Sequence, residues 1–277
     1  MIIFLHIPKT GGSTFQFILE NSFGISACHT NHTKKKNFNQ ADFDFAKKVF
    51  PALRSIAGHN LIDPLKLSVA DPFYITFVRE PVARVFSYYQ EYYQDSVRKG
   101  NNLMTFEETL RTNEDCENLH VKMMAGERNL DKAKRFLEKC DLVGLTEKFD
   151  LSLHILKRLT PYKLNLNYKK RRYYKDNSIK KSLENDSRMI EIAGKYNKLD
   201  IELYSFAVNE IFPKLCAKAG FNPADKVSSF DRYTSEIKLK YIACHFYNMS
   251  FYRQICKARN RTQPRKMTDG IEPEPLP

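Results

Sequence analysis

The sequence predicts an α/β fold: a mainly parallel sheet flanked by helices, with extra helices toward the C-terminus. Three observations carry that prediction. Residues 2–7 and 73–78 are short apolar runs rich in β-branched and aromatic residues, the composition of strands buried on both faces. Each run passes through a turn into a helical pattern, and a third strand-to-helix passage follows at residues 141–150. The chain is also long enough, at 277 residues with 42% hydrophobic content, 20 Phe and 15 Tyr, to pack one large α/β core.

The first run leads into Pro8-Lys9-Thr10-Gly11-Gly12-Ser13-Thr14. Pro8 stops strand pairing, and Gly11-Gly12 permits backbone angles closed to other residues. Ser13 or Thr14 suits the N-cap of a helix over 15–21. A strand, a glycine turn and a helix start make a P-loop-like anion cradle, because amide N–H groups and the positive helix end converge there. Lys9 adds a full charge, and Thr10, Ser13 and Thr14 add hydroxyls. The pattern departs from G-x-x-x-x-G-K-[ST], since here the lysine precedes the glycines.

Residues 26–40 are polar and read as a loop, with Lys34-Lys35-Lys36 within it. Residues 42–56 have helical spacing of apolar positions, interrupted at Pro51. Ala57-Gly58-His59-Asn60 reads as a turn. After the strand at 73–78 comes Arg79-Glu80-Pro81, with Pro81 fitting the first turn of a helix. On that helix Arg84, Ser87 and Tyr88 are three or four positions apart and are expected to share a face. Residues 106–111, 116–125 and 130–138 read as helices covering the sheet, and Thr146 as the N-cap of the next helix. Residues 168–175 form the densest basic and aromatic cluster, expected to be a lid or rim for an anionic ligand. Amphipathic helices are predicted over 185–196 and 199–219, and one or two more over 229–257.

Two segments together suggest a chemistry. H-I-P-K-T-G-G-S-T, residues 6–14, resembles the 5′-phosphosulfate loop of sulfotransferases that use 3′-phosphoadenosine 5′-phosphosulfate (PAPS). F-V-R-E-P-V-A-R-V-F-S-Y-Y, residues 77–89, resembles their 3′-phosphate signature. The resemblance is to the carbohydrate sulfotransferases of the heparan sulfate 2-O-sulfotransferase type. It continues through Asn118–Met123, V-G-L-T-E-x-F at 143–149 and N-x-L-D-x-x-L-Y at 197–204. It implies sulfonate transfer from PAPS to a hydroxyl, on a carbohydrate, by one in-line displacement that needs no metal. By position, Lys9 would stabilise the departing phosphate and residues 10–14 would hold the 5′ side, while Arg79 and Ser87 would hold the 3′-phosphate. His59, in the family's G-H segment, would be the general base, with His29, His32 and Asp63 as alternatives. His120 and His6 are expected to be structural. Residues 1–258 would form the sulfotransferase domain and 259–277 a disordered tail, since 262–277 is rich in proline and nearly free of apolar residues. Two other readings stay open: a kinase- or ATPase-like phosphoryl transferase, and a non-catalytic binder of anionic polymer.

The formal charge of +13 favours an anionic partner, and no nucleic-acid-binding signature accompanies it, so no nucleic acid is expected. The six cysteines are scattered without a C-x-x-C pair and are expected to be reduced. Cys28, His29 and His32 lack the second ligand pair of a structural zinc site. The N-terminal apolar run is too short for a membrane span, and as the core strand it could not be cleaved away as a signal. No membrane anchor is therefore expected, and the location expected is cytoplasmic.

Overall fold

The structure is a computed structural model and describes residues 1–50, 52–169, 176–232 and 237–262. Its centre is a five-stranded parallel sheet: β1 (Ile2–Leu5), β2 (Ala27–His29), β3 (Ser55–Gly58), β4 (Phe73–Val78) and β5 (Leu142–Leu145). The strands lie in the order β2-β3-β1-β4-β5, so β1 is central and chain order reverses across it. Every residue of β1 is fully buried, as expected for a strand covered on both faces. The register sets Leu5 opposite both Gly58 and Thr76, and Val78 opposite Leu145. The loops that leave β3, β1, β4 and β5 therefore emerge side by side at one edge, where ligands of open α/β sheets bind.

Around the sheet lie α1 (Gly12–Phe23), α2 (Gln40–Val49), α3 (Pro81–Lys99), α4 (Phe106–Thr112), α5 (Leu119–Ala125) and α6 (Leu130–Lys139). They are followed by α7 (Phe149–Leu159), α8 (Ser178–Glu184), α9 (Ser187–Tyr196), α10 (Lys198–Phe206) and α11 (Phe212–Ala219), then α12 (Ile237–Phe246) and α13 (Arg253–Thr262). A π-helical stretch, Tyr247–Tyr252, joins the last two into one continuous C-terminal helix. None of the helices among the described residues is long and apolar enough to cross a membrane.

Three expectations are corrected. Residues 55–58 are a strand, where 55–56 are expected to end a helix and 57–58 to open a turn that is confined to 59–60, and residues 27–29 within the expected loop are an edge strand. Ser55-Ile56-Ala57-Gly58 has little β-branched or aromatic character; its strand state comes from pairing with β1. Residues 259–262 belong to α13 rather than to a tail, because Arg259 bonds Asp42 at 2.9 Å and Asn260 donates to the Thr33 carbonyl at 2.9 Å. Arg84, three positions before Ser87 on α3, is fully buried, with Nη2 donating to the Asp115 carbonyl at 2.8 Å. The expected tail at 263–277, most of the basic cluster (170–175) and Pro51 lie outside the described residues.

The two family-like segments at 118–124 and 197–204 meet in a buried network. Asp200 accepts from the backbone N–H groups of His120 and Val121, both at 2.9 Å, and from His120 Nδ1 at 2.8 Å. His120 is thus a packed structural residue, as expected.

Candidate active site

The loop after β1 is held in an unusual backbone path. Lys9 and Gly11 both have positive φ, 69° and 81°. A Cβ on Gly12 would stand 2.0 Å from Cδ2 of His6, so the two glycines serve different needs: a left-handed turn at Gly11 and close packing on His6 at Gly12. Gly11 itself is the N-cap of α1, without a side-chain cap bond, which corrects the expected Ser13 or Thr14 cap. Thr10 is buried and its hydroxyl donates to the Ile7 carbonyl at 2.9 Å, bracing the loop. The Thr146 hydroxyl lies 2.8 Å from the Thr10 carbonyl and 3.0 Å from that of Val78; it ties the ends of β1, β4 and β5 together instead of capping a helix. Arg79 Nη1 adds a bond to the Lys9 carbonyl at 3.1 Å.

These contacts shape a cleft of about 320 Å³ over the β1, β4 and β5 ends. Its polar side carries Lys9, Ser13, Thr14, Arg79 and Ser87, and its apolar side Phe149 and Tyr168. Thr10 and Gly12 are not among the residues that line it; they shape the loop from behind. Lys9 Nζ is 3.1 Å from Oε2 of Glu91, on α3. Burial lowers the Arg79 pKa, and the nearby Glu147 carboxylate opposes that shift. A cationic cradle of hydroxyls, an arginine and a helix start fits a phosphate-bearing ligand.

On the other side of β1 lies a second cleft, of about 480 Å³. His29, Asn31 and His32 come to it from the end of β2, and Gln16 and Glu20 from α1. Tyr241, His245 and Asn248 come from the C-terminal helix. His6, Ser13 and His59 belong to both clefts. Register explains this: His6 and His59 each follow paired residues, Leu5 and Gly58, and their rings lie 4.0 Å apart. Gly58 is required there, because a Cβ would stand 2.1 Å from the Thr30 hydroxyl.

His59 is oriented from two sides. Its backbone N–H donates to Asn31 Oδ1 at 2.8 Å, and its Nδ1 is 2.7 Å from the His6 carbonyl. A carbonyl accepts only, so Nδ1 carries the proton of the neutral ring and Nε2 is its basic nitrogen. Burial, with the neighbouring His32, lowers the His29 pKa to about 3; burial, with Arg253, lowers that of His32 to about 4. The remaining alternative, Asp63, is elsewhere, paired with Lys132 at 2.9 Å and Lys66 at 3.2 Å. Among the described residues no group of three or more His, Cys, Asp or Glu is arranged to hold a metal ion.

The phosphate-type loop, the arginine at the β4 end and the intervening histidine coincide with a match to the sulfotransferase family model over residues 1–207. The chain belongs to the sulfotransferase family. It is 29% identical over 274 residues to heparan sulfate 2-O-sulfotransferase hst-2 of Caenorhabditis elegans, a similarity covering 81% of this chain and 82% of that protein. The family segment of this sulfotransferase contains all five strands and both walls of the first cleft, and it ends before the C-terminal helix.

Several cleft residues were not singled out from the sequence. Glu91 stands one turn beyond Ser87 on α3, so its presence near the loop follows from Ser87's placement. His6 is expected to be a packing residue, and its bond from Nδ1 to Gln16 Oε1 at 3.2 Å agrees, yet its ring also forms wall in both clefts. Tyr241 and His245 carried no sequence signal, because nothing local marks which face of a C-terminal helix meets α1.

Proposed function

We propose that this sulfotransferase moves a sulfonate group from PAPS to a carbohydrate hydroxyl in a single in-line displacement. The observation that carries the proposal is the division of labour around β1: Lys9 and Arg79 line one cleft, and His59 stands between it and the second. PAPS, when bound in the first cleft, supplies the sulfonate. Lys9 then neutralises charge on the departing phosphate, the loop at Gly11–Thr14 grips the 5′ side, and Arg79 and Ser87 grip the 3′-phosphate. His59 accepts the acceptor's hydroxyl proton at Nε2, while the His6 carbonyl stabilises the imidazolium through Nδ1–H. The carbohydrate acceptor is supported by the similarity to a heparan sulfate 2-O-sulfotransferase.

The test is a comparison of two nucleotides by calorimetry. PAP carries the 3′-phosphate and 5′-AMP does not. Loss of its charge-assisted contacts is expected to weaken binding by about 2–4 kcal/mol. Equal affinities would remove the PAPS assignment and return the cleft to the phosphoryl-transfer or polymer-binding readings.

A further inference from the structure

The C-terminal helix has two faces of different character. Cys244, Asn248, Tyr252 and Cys256, every fourth residue, are buried and form its inner face. In an α-helix that spacing would drift by about 40° per step, since 3.6 residues make a turn. The π-helical stretch Tyr247–Tyr252 takes up the drift and keeps the row facing the protein. Polar bonds fix this orientation. The Asn248 side chain accepts from the His29 N–H and donates to the Ala27 carbonyl, both on β2 and both at 2.9 Å. The Tyr247 hydroxyl donates to the Val49 carbonyl at 2.6 Å.

The outer face is apolar and then basic. Leu239, Ile242 and Phe246 have the i, i+3, i+7 spacing of one helical face and are 75%, 49% and 68% exposed, and Phe251 follows at 47%. Single exposed apolar residues are ordinary, but four of the nine large ones among the described residues stand on this one helix. Residues 237–262 also contain six Lys and Arg and no Asp or Glu, in a chain with 32 acidic residues. Lys240, Lys257 and Arg261 are exposed, while Arg259 turns inward to the buried Asp42 at 2.9 Å. The exposed Lys34 stands beside the helix end, because Asn260 donates to the carbonyl of the preceding Thr33.

We propose that the outer face of this helix docks the protein on the surface of an anionic lipid bilayer. Leu239, Ile242 and Phe246 enter the headgroup layer, and Lys240, Lys257 and Arg261 meet the lipid phosphates. An apolar stripe beside a surplus of lysine and arginine, with no carboxylate, is the pattern of interfacial helices, for which buried apolar area and attraction to anionic lipid add. The helix is not long and apolar enough to cross a membrane, so the contact is with the surface. Leu239, Ile242 and Phe246 line neither cleft; they stand on the convex outside of a helix, which suits a lipid surface better than a bound peptide. A second copy could also cover an apolar face, but a two-fold contact would set two basic, acid-free helices against each other. The helix lies beyond the segment matched by the family, and the docking is independent of what either cleft binds.

The experiment floats the full chain with vesicles of phosphatidylcholine alone, or of phosphatidylcholine with one quarter phosphatidylglycerol, at low and high salt. The expected result is binding to the anionic vesicles tenfold or more tighter than to the neutral ones, weakening as salt is raised. Phe246→Glu should weaken anionic-vesicle binding tenfold or more with an unchanged urea-unfolding midpoint, since the side chain is exposed. The chain contains no Trp, so Phe246→Trp adds a lone reporter, whose emission should move to shorter wavelength on anionic vesicles and not on neutral ones. Should Phe246→Glu fail to fold, that emission and a several-fold loss of binding in Lys240→Glu provide the second reading. Equal vesicle binding by Phe246→Glu and wild type would mean that the overall charge of +13, and not this face, meets the lipid, and overturns the proposal. Failure to bind anionic vesicles, or an unmoved emission, overturns it too. So does a dimer in sedimentation that Phe246→Glu dissociates, which would assign the face to a second copy.

Discussion

The two clefts share one strand end but are assembled in different ways. The first cleft draws mainly on residues 8–14, 79–91 and 146–149, runs that follow strand ends, and is completed by His6, His59 and Tyr168. The histidine-lined cleft gathers single side chains from positions 6, 13–20, 29–32, 59 and 241–248. A phosphate is held largely by backbone N–H groups, a helix end and fixed cations, all of which one strand-loop-helix unit provides. The second cleft is lined by side chains that converge only once the sheet and the C-terminal helix are in place. The first kind of site is encoded locally; the second is a product of topology.

Mutations that separate the clefts should have the largest effects. Lys9→Ala is expected to lose nearly all turnover at saturating PAPS, since no other lysine lines the donor-side cleft among the described residues. His59→Ala should lower turnover by roughly 10²–10⁴-fold, the usual contribution of a positioned general base, with PAP affinity within about threefold. Its pH–rate profile should lose the acidic limb. Steady-state kinetics beside PAP calorimetry make the distinction; a His59→Ala protein that lost PAP binding as severely as turnover would merge the two clefts into one site.

Arg79→Ala should break the comparison from the opposite side. The guanidinium lies in the donor-side cleft and also bonds the Lys9 carbonyl at 3.1 Å. Its removal is expected to weaken PAP by about 2–4 kcal/mol, as for a lost charge-assisted phosphate contact. A protein with normal PAP affinity would show that the 3′-phosphate is held elsewhere.

How much of this was legible follows from the same contrast. The buried runs at 2–7 and 73–78, the glycine turn and the arginine after the second run are contiguous signals, and they located the sheet centre and residues that line the first cleft. The third strand was marked by V-G-L-T-E-x-F, although the role of Thr146 as a tie between two loops was not, because its partners Thr10 and Val78 are 136 and 68 residues away. Strands β2 and β3 were missed: three- and four-residue pieces with Ala, Gly and Ser carry too weak a pattern and are strands through their neighbours. His59 is a turn residue, as expected, but its ring contact with His6 became visible only through the pairing of Leu5 with Gly58. The G-H resemblance pointed to His59, which lines both clefts.

A smaller effect concerns charge in the second cleft. Burial holds the His29 pKa near 3, well below the ordinary value of about 6.5. A depressed histidine pKa means that the unfolded chain binds the proton first, so folding stability is fully present above about 6.5 and is lost as pH falls toward 3. Between pH 7 and pH 5 this group alone removes at most about 2 kcal/mol. His29→Gln, which cannot titrate, should flatten the fall in urea-unfolding free energy over that interval. The donor-side cleft should not share the change, so PAP affinity should keep its wild-type pH dependence. Equal slopes for the two proteins would mean that His29 is solvated and that the cleft tolerates a charge.

The smallest expected effect lies at Glu91, the carboxylate in a cleft otherwise suited to anions. Lys9 Nζ is 3.1 Å from its Oε2, with the two side chains 11% and 21% exposed. An incoming phosphate must share Lys9 with this carboxylate and stand near its negative charge. Glu91→Gln removes the repulsion but keeps an amide oxygen able to accept from the ammonium, so Lys9 retains a guide. A partly screened pair is worth on the order of 1 kcal/mol, so PAP should bind a few-fold tighter to the variant. The gap should narrow as salt is raised, because screening weakens the wild-type repulsion. Calorimetry with PAP at low and high salt measures both. Weaker PAP binding by Glu91→Gln would reverse the assignment: the carboxylate would then be the residue that aims Lys9, and its charge an integral part of the donor site.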